Sequence, residues 1–155
     1  MCSTKNALGG SGHGSDLETM SSFLLNHIVH KYHQILQSRL RSAGVSTLQM
    51  RIILSLHAHD RLTVGELCNF AIAEQPTMSR ALDSLEVRGL VRREMSEADS
   101  RLRLVSLTEE GARVHDSIQP VVIGINEGMV ADLGAEQRAA LIRQLSTMLV
   151  NLGRL

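Results

Sequence analysis

The spacing of apolar residues changes twice along this chain, and this change restricts the fold more than any other feature. Up to residue 89, the periodic segments have apolar side chains at helical spacing, as in Met78, Leu82 and Leu85. This spacing predicts helices. Over residues 90–107 two runs alternate apolar and polar residues, which predicts a β-hairpin. Helical spacing then returns. The pattern predicts a mainly α fold with one small β-hairpin (α+β).

Local signals place the ends of the central helices. Ser46 with Gln49 and Thr63 with Glu66 have the spacing of a capping box, in which each side chain satisfies a free amide at a helix start. These boxes predict a helix from Ser46 to about residue 57 and a short helix through about residue 70. Pro76 suits the first position of a further helix, which we expect to stop at residue 89.

The outer helices have clear boundaries as well. A first helix is predicted over residues 16–43 and ends at Gly44, whereas Thr108 caps a helix that follows the hairpin. Pro120 is expected to kink or break that helix because proline lacks an amide and clashes with the preceding turn. A last amphipathic helix follows a break near Gly134.

Composition restricts the class of protein. Residues 1–15 are rich in Gly and Ser and predict a disordered tail, which leaves one domain over residues 16–155. Two cysteines form neither a disulfide framework nor a metal pattern, and no apolar stretch is long enough to span a bilayer. We therefore expect a cytoplasmic protein with no membrane partner.

Charge excludes bulk coating of nucleic acid, because 16 basic residues balance 16 acidic ones. Residues 80–103 carry six arginines against five acidic residues, so any DNA binding depends on placement. A helix, a short helix, a further helix and a basic hairpin follow one another as in a winged helix-turn-helix, whose later helix enters the major groove. The predicted DNA contacts are Gln75, Pro76, Thr77, Ser79, Arg80, Ser84, Arg92, Arg93, Arg101 and Arg103.

These candidates differ in the contact expected of them. Thr77, Ser79 and Arg80 are placed to meet base edges or backbone, since arginine suits guanine. Arg101, with Asp99 two residues before it, is the strongest single candidate and suits a narrow minor groove. The other hairpin arginines are expected at phosphates. The alternative is an ordinary surface helix and an ion pair that stabilises the turn.

Three motifs give the chain a resemblance to the multiple antibiotic resistance regulator (MarR) family: Thr77-Met78-Ser79-Arg80, Leu85-Glu86-x-x-Gly89-Leu90-Val91-x-Arg93, and Asp99-x-Arg101 running on to Val105-x-Leu107-Thr108-x-x-Gly111. The resemblance implies a homodimer whose helices at residues 16–43 and 109–153 interlock, with a DNA-binding lobe at residues 46–108. It also implies a pseudopalindromic operator and repression relieved by a small, often aromatic or phenolic, ligand. Gly134 departs from the family, which often has Ser there.

The same resemblance places an effector cavity between the dimerisation helices and the DNA-binding lobe. His27, His30 and Arg51 are then candidates to bind a carboxylate or phenol. A salt bridge from Arg51 to a neighbouring helix is the alternative. For His27, His30 and His33 together, a metal site and structural histidines are the alternatives. Structural histidines are the simpler interpretation, because no cysteine or carboxylate lies nearby in sequence to complete a metal site.

Other functions stay open as alternatives. A metal-sensing regulator of the same fold would use the histidines, and a redox-sensing one would need a reactive Cys68, for which a buried core thiol is the simpler interpretation. A helical interaction module that binds no DNA is a further alternative. No motif of a hydrolase, a metalloprotease or a nucleotide-binding loop is present, so we expect neither catalysis nor a cofactor.

Overall fold

A computed structural model describes residues 15–95 and 102–154 of the chain. Its helices are α1 (Ser15–Thr19), α2 (Ser21–Leu40), α3 (Thr47–His59), α4 (Val64–Ala71), α5 (Gln75–Val87), α6 (Glu109–Met129) and α7 (Ala135–Leu152), with a 3₁₀ turn at Arg41–Ala43. The strands are β1 (Arg61–Thr63), β2 (Val91–Met95) and β3 (Arg103–Leu107). The predicted mainly α fold with a small hairpin is confirmed.

The three strands form one antiparallel sheet in the order β1-β3-β2. Val91 pairs with Leu107 and Arg93 with Val105 in the hairpin, while Leu62 of β1 pairs with Val105 from the other side. The sequence predicted the hairpin but no strand at Arg61–Thr63. Three residues are too few to show an alternating pattern, so β1 is defined only by its pairing with β3.

The core lies among α2 to α6 and the sheet. Fully buried side chains come from every one of these layers: Leu36, Ile52, Ile53, Leu67, Leu82, Leu85, Val105 and Ile118. By contrast, the 18 residues of α7 include no buried side chain. The described part of one chain therefore contains one compact lobe and a long helix that the same chain covers only in part.

The capping boxes are confirmed. The Ser46 hydroxyl accepts from the Gln49 amide at 3.2 Å and the Gln49 side chain accepts from the Ser46 amide at 3.0 Å. Thr63 and Glu66 repeat the arrangement at 3.3 and 2.8 Å. These short-range bonds satisfy the backbone amides of Thr63 and Glu66 and the hydroxyl of Thr63. Local sequence therefore fixes the start of α4.

Two predictions for the outer helices need correction. The helix predicted over residues 16–43 is divided at Met20, whose backbone is extended (φ −70°, ψ 129°), before Gly44 ends it in the left-handed conformation (φ 63°). Of the two outcomes expected at Pro120, a kink or a break, the break does not occur, because α6 stays helical from residue 109 to 129. Proline removes only one amide donor, and the other hydrogen bonds and the packing of α6 on the core maintain the helix.

None of the helices in the described ranges combines the length and the apolar character that a membrane crossing requires.

Candidate nucleic-acid interface

Helix α5 is fixed by one face and exposed on the other. Met78, Leu82 and Leu85 are completely buried under it. At the start of α5 no side chain caps the first turn, and proline occupies one of its first positions. The free amides of that turn and the dipole of the helix suit an anion such as a phosphate. The structure thus places a polar, uncapped helix start at the surface.

Five of the predicted contact residues share this exposed helix start: Gln75, Pro76, Thr77, Ser79 and Arg80. Within residues 15–95 and 102–154, Arg80 forms no ion pair and no side-chain hydrogen bond. Its five donors are therefore available to an external acceptor. Ser84, two turns from the helix start, instead accepts a hydrogen bond from the Gln49 amide at 3.2 Å.

Arg93 occupies a different environment from the one that the sequence suggested. Its guanidinium lies 2.7 Å from an Asp83 carboxylate oxygen and 3.3 Å from one of Glu86, and only 19% of its side chain is exposed. Both acids lie on α5, one helical turn apart. Arg93 consequently ties β2 to α5, and the two elements that the DNA-binding hypothesis requires are held side by side.

The strand register divides the remaining hairpin arginines between two faces. Cross-strand partners share a face of a sheet, so Arg103, paired with Met95, lies on the face of Arg93, and Arg92, paired with Ser106, lies on the opposite one. The Arg92 Nε donates to the Ser106 hydroxyl at 3.1 Å and lies 3.1 Å from a Glu94 oxygen. Arg103 is exposed.

Asp99 and Arg101, which carry the predicted contact at the hairpin tip, lie outside the described residues.

The three predicted effector-binding residues have different neighbours. The His27 ring packs on Phe23 with centroids 4.3 Å apart, and His30 Nε2 lies 3.0 Å from the Gln34 amide nitrogen. Arg51 is half-buried and its guanidinium contacts His33 and the carbonyl of Ala71. The alternative interpretation of Arg51, a salt bridge to a neighbouring helix, is not found among the described residues, where it forms these two hydrogen bonds instead.

An apolar cavity of about 430 Å³ lies among α2, α6 and α7. His27, Lys31 and Tyr32 supply the polar groups of its lining, and Ile28, Ile125 and Leu141 are among its apolar walls. Of the three predicted effector residues, His27 lines this cavity, whereas His30 and Arg51 are not among its lining residues.

Other titratable groups offer less to a ligand or metal. Cys68 is a free thiol packed partly against the core. Over the described ranges no three His, Cys, Asp or Glu side chains approach closely enough to hold a metal ion. The pKa of Glu66 is lowered, chiefly because the backbone amide of Thr63 and then its hydroxyl donate to the carboxylate. This shift reports the helix cap and no chemical site.

Sequence reasoning missed two long-range arrangements. Asp83 and Glu86 are one turn apart on α5, and a pair of acids facing a hairpin arginine was a usable signal for the ion pairs of Arg93. Arg51 and Ala71 are 20 residues apart, and no periodicity or motif links them.

Comparison with known proteins agrees with this geometry. A family model described as the MarR family matches residues 43–102. A MarR-family regulator from Silicibacter pomeroyi is 37% identical, with a TM-score of 0.80 over 87% of this chain and 91% of that chain.

Two further relatives are a DNA-bound regulator and a repressor. A mutant MarR from E. coli complexed with operator DNA is 25% identical, with a TM-score of 0.73 over 83% of this chain and 92% of that chain. The transcriptional repressor NicR of Pseudomonas putida is 25% identical over 86% of this chain and 85% of its own length. Together with the exposed start of α5 and the adjoining hairpin, these similarities show that the chain belongs to the MarR family and is a DNA-binding transcriptional regulator.

Proposed function

We propose that this protein is a homodimeric repressor that binds a pseudopalindromic operator and is released by a small aromatic or phenolic acid. The observation that carries the proposal is the start of α5, where Thr77, Ser79 and Arg80 are exposed above a buried apolar face. In a winged helix-turn-helix this is the end of the helix that reaches base edges. The repressor NicR and the operator complex of MarR are relatives that support DNA binding of this kind.

Each basic residue has a defined role in the proposal. Arg80, which has no partner in the described part of the chain, reads a base edge, whereas Arg92 and Arg103 bind phosphates and contribute affinity without sequence preference. Arg101 enters the minor groove beside the hairpin. Arg93 positions the hairpin, because its guanidinium is already occupied by Asp83 and Glu86.

The proposed dimer follows from apolar surface that one chain leaves exposed. Leu17 is 58% exposed, Ile142 63%, Leu149 72% and Leu152 65%, and these residues belong to the first and last helices. Large apolar side chains that are exposed in one chain mark an interface where they adjoin. Since α7 buries no residue in its own chain, a second copy would supply the packing that stabilises this helix.

The proposed effector site is the cavity among α2, α6 and α7. Its walls are predominantly apolar, and Lys31 offers a cation for a carboxylate while the Tyr32 hydroxyl and His27 offer hydrogen bonds. This combination suits a ring with one acidic group. Binding releases DNA if the ligand prefers a dimer whose two recognition helices no longer match the groove repeat.

Fluorescence anisotropy with the DNA upstream of the gene, and with a random duplex of equal length, tests the proposal. We expect two chains per operator and an affinity on the order of a thousandfold higher for the operator at physiological salt. Arg80→Ala should reduce this ratio. Arg113→Ala is the matched control, because Arg113 pairs with Glu110 on its own helix. Equal affinity of the wild type for both duplexes would contradict sequence-specific regulation.

A second titration tests the effector. Aromatic acids are added to the preformed operator complex, with cyclohexane carboxylic acid as the non-aromatic control. Lys31→Met should weaken release by a carboxylate without changing DNA affinity in its absence, since Lys31 lies on the cavity lining. If no acid of the panel releases DNA, this class of effector is wrong.

A further inference from the structure

The half-buried guanidinium of Arg51 joins three elements of the chain. From α3, its NH2 group lies 2.8 Å from Nε2 of His33 on α2, and its NH1 group donates to the carbonyl oxygen of Ala71 at 3.2 Å. Arginine has donors only, so Nε2 of His33 is the acceptor. A planar guanidinium holds two such acceptors in a fixed relative orientation.

The acceptor in α4 lies directly before the turn of the helix-turn-helix. Ala71 is completely buried and is the last residue of α4. Ile72 follows in the left-handed conformation (φ 53°, ψ 64°), which is an outlier for a β-branched side chain. Residues held in such conformations persist only where the surroundings fix them. Gln75 begins α5 three residues later, so the turn at Ile72 sets the direction of α5.

The acceptor in α2 belongs to residues 16–43, the first of the two segments that the family resemblance assigns to the dimer interface. On the same helix Leu24 is 51% exposed, Ile28 48% and Ile35 44%, while His33 is half-buried against the lobe. Arg51 therefore connects the element that would fix the dimer to the turn that orients α5. Side chains with such short contacts couple the positions of the elements that they join.

We propose that Arg51 is a positioning residue that sets the distance between the two recognition helices of the dimer. This inference rests on the proposed function. The bonds of Arg51 to His33 and Ala71 hold α5 at one angle to α2, and the two-fold axis converts this angle into a spacing between the two α5 helices. Arg51 thereby determines which half-site spacing the dimer accepts, although it belongs to α3 and not to α5.

Operators with altered spacing test this inference. The affinities of wild type, Arg51→Met and His33→Phe are measured on duplexes with the native half-site spacing and with one base pair added or removed. Methionine keeps an apolar stem and lacks both donors, and phenylalanine keeps a ring and lacks the acceptor. We expect the wild-type preference for native spacing to fall on the order of tenfold in each variant, and Arg51→Lys to restore part of it.

Matched measurements separate positioning from stability. Arg113→Met is the control for loss of an arginine, and the thermal midpoint and dimer mass are recorded for every variant. If Arg51→Met does not fold, His33→Phe alone decides. Variants that keep the wild-type spacing preference but melt at lower temperature would overturn the inference and leave the proposed function intact. A wild type that binds none of the duplexes would overturn both.

Discussion

Replacement of Gly111 by alanine gives the sharpest test of the packing between hairpin and α6. A Cβ atom at this position would lie 2.0 Å from the carbonyl oxygen of Leu90, 3.0 Å from its carbonyl carbon and 3.1 Å from Cδ2 of Leu107. Carbon–oxygen contacts normally require about 3.3 Å. The helix and the Leu90 backbone must therefore separate by about 1.3 Å.

This separation would strain several bonds together. The same Leu90 carbonyl accepts from the Thr108 amide at 3.1 Å, and the Thr108 hydroxyl donates to Gly89 and accepts from Gly111. Overpacking costs about 1–3 kcal/mol and partial weakening of these three bonds costs about 1 kcal/mol in total, against a gain of about 1 kcal/mol for alanine in a helix. We expect Gly111→Ala to lower the free energy of unfolding by about 1–3 kcal/mol.

Thermal and urea unfolding at one fixed protein concentration provide the measurement. A loss of that size lowers the midpoint by roughly 3–10 °C in a chain of this length. Gly65→Ala is the matched control, because nothing lies within 4 Å of a Cβ there, and this variant should be unchanged or slightly more stable. Equal midpoints for Gly111→Ala and Gly65→Ala would refute the contact on which the argument depends.

Three further outcomes are expected. Arg103→Ala should weaken binding to operator and random duplex alike and make the salt dependence of the affinity shallower. Arg80→Ala should mainly reduce the preference for operator, and titrations at two salt concentrations check both variants. The pKa of Glu66 is lowered by the bonds from Thr63, so this carboxylate stabilises the fold above its unfolded-state pKa, and the contribution disappears as pH falls through its folded-state pKa. The difference in unfolding free energy between wild type and Glu66→Gln should therefore be larger at pH 7 than in acid. A constant difference would contradict this. Leu149→Glu should convert the dimer to monomer, because a charge would replace an apolar side chain that is 72% exposed in one chain; light scattering gives the mass, and an unchanged dimer would exclude this surface as the interface.

Sequence reasoning succeeded where the physical cause acts over a few residues. The caps at Ser46, Thr63 and Thr108 join residues three positions apart, so their partners can be identified directly in the chain. The hairpin likewise follows from alternation within two adjacent runs. Pro120 shows the limit of this local reasoning: its local effect is real, but contacts of α6 with distant elements decide that the helix continues without a break.

The candidate site was only partly open to such reasoning. The residues at the exposed start of α5 were identified by their order after a short helix and before a basic hairpin. The partners of Arg93 were not, because the choice between a phosphate and the acids of α5 depends on which face of β2 the side chain occupies. A one-residue shift of register would reverse that choice.

The order of helices, their caps, the hairpin and the motifs of a DNA-binding regulator all follow from the amino-acid sequence, since these depend on side chains within about one helical turn or one strand pair. Three features become visible only in the folded chain: Arg51 joins His33 to Ala71, Arg93 joins β2 to α5, and Gly111 admits no side chain. These contacts connect residues 10 to 21 positions apart or depend on two backbones meeting, and packing of the whole core is what brings them together.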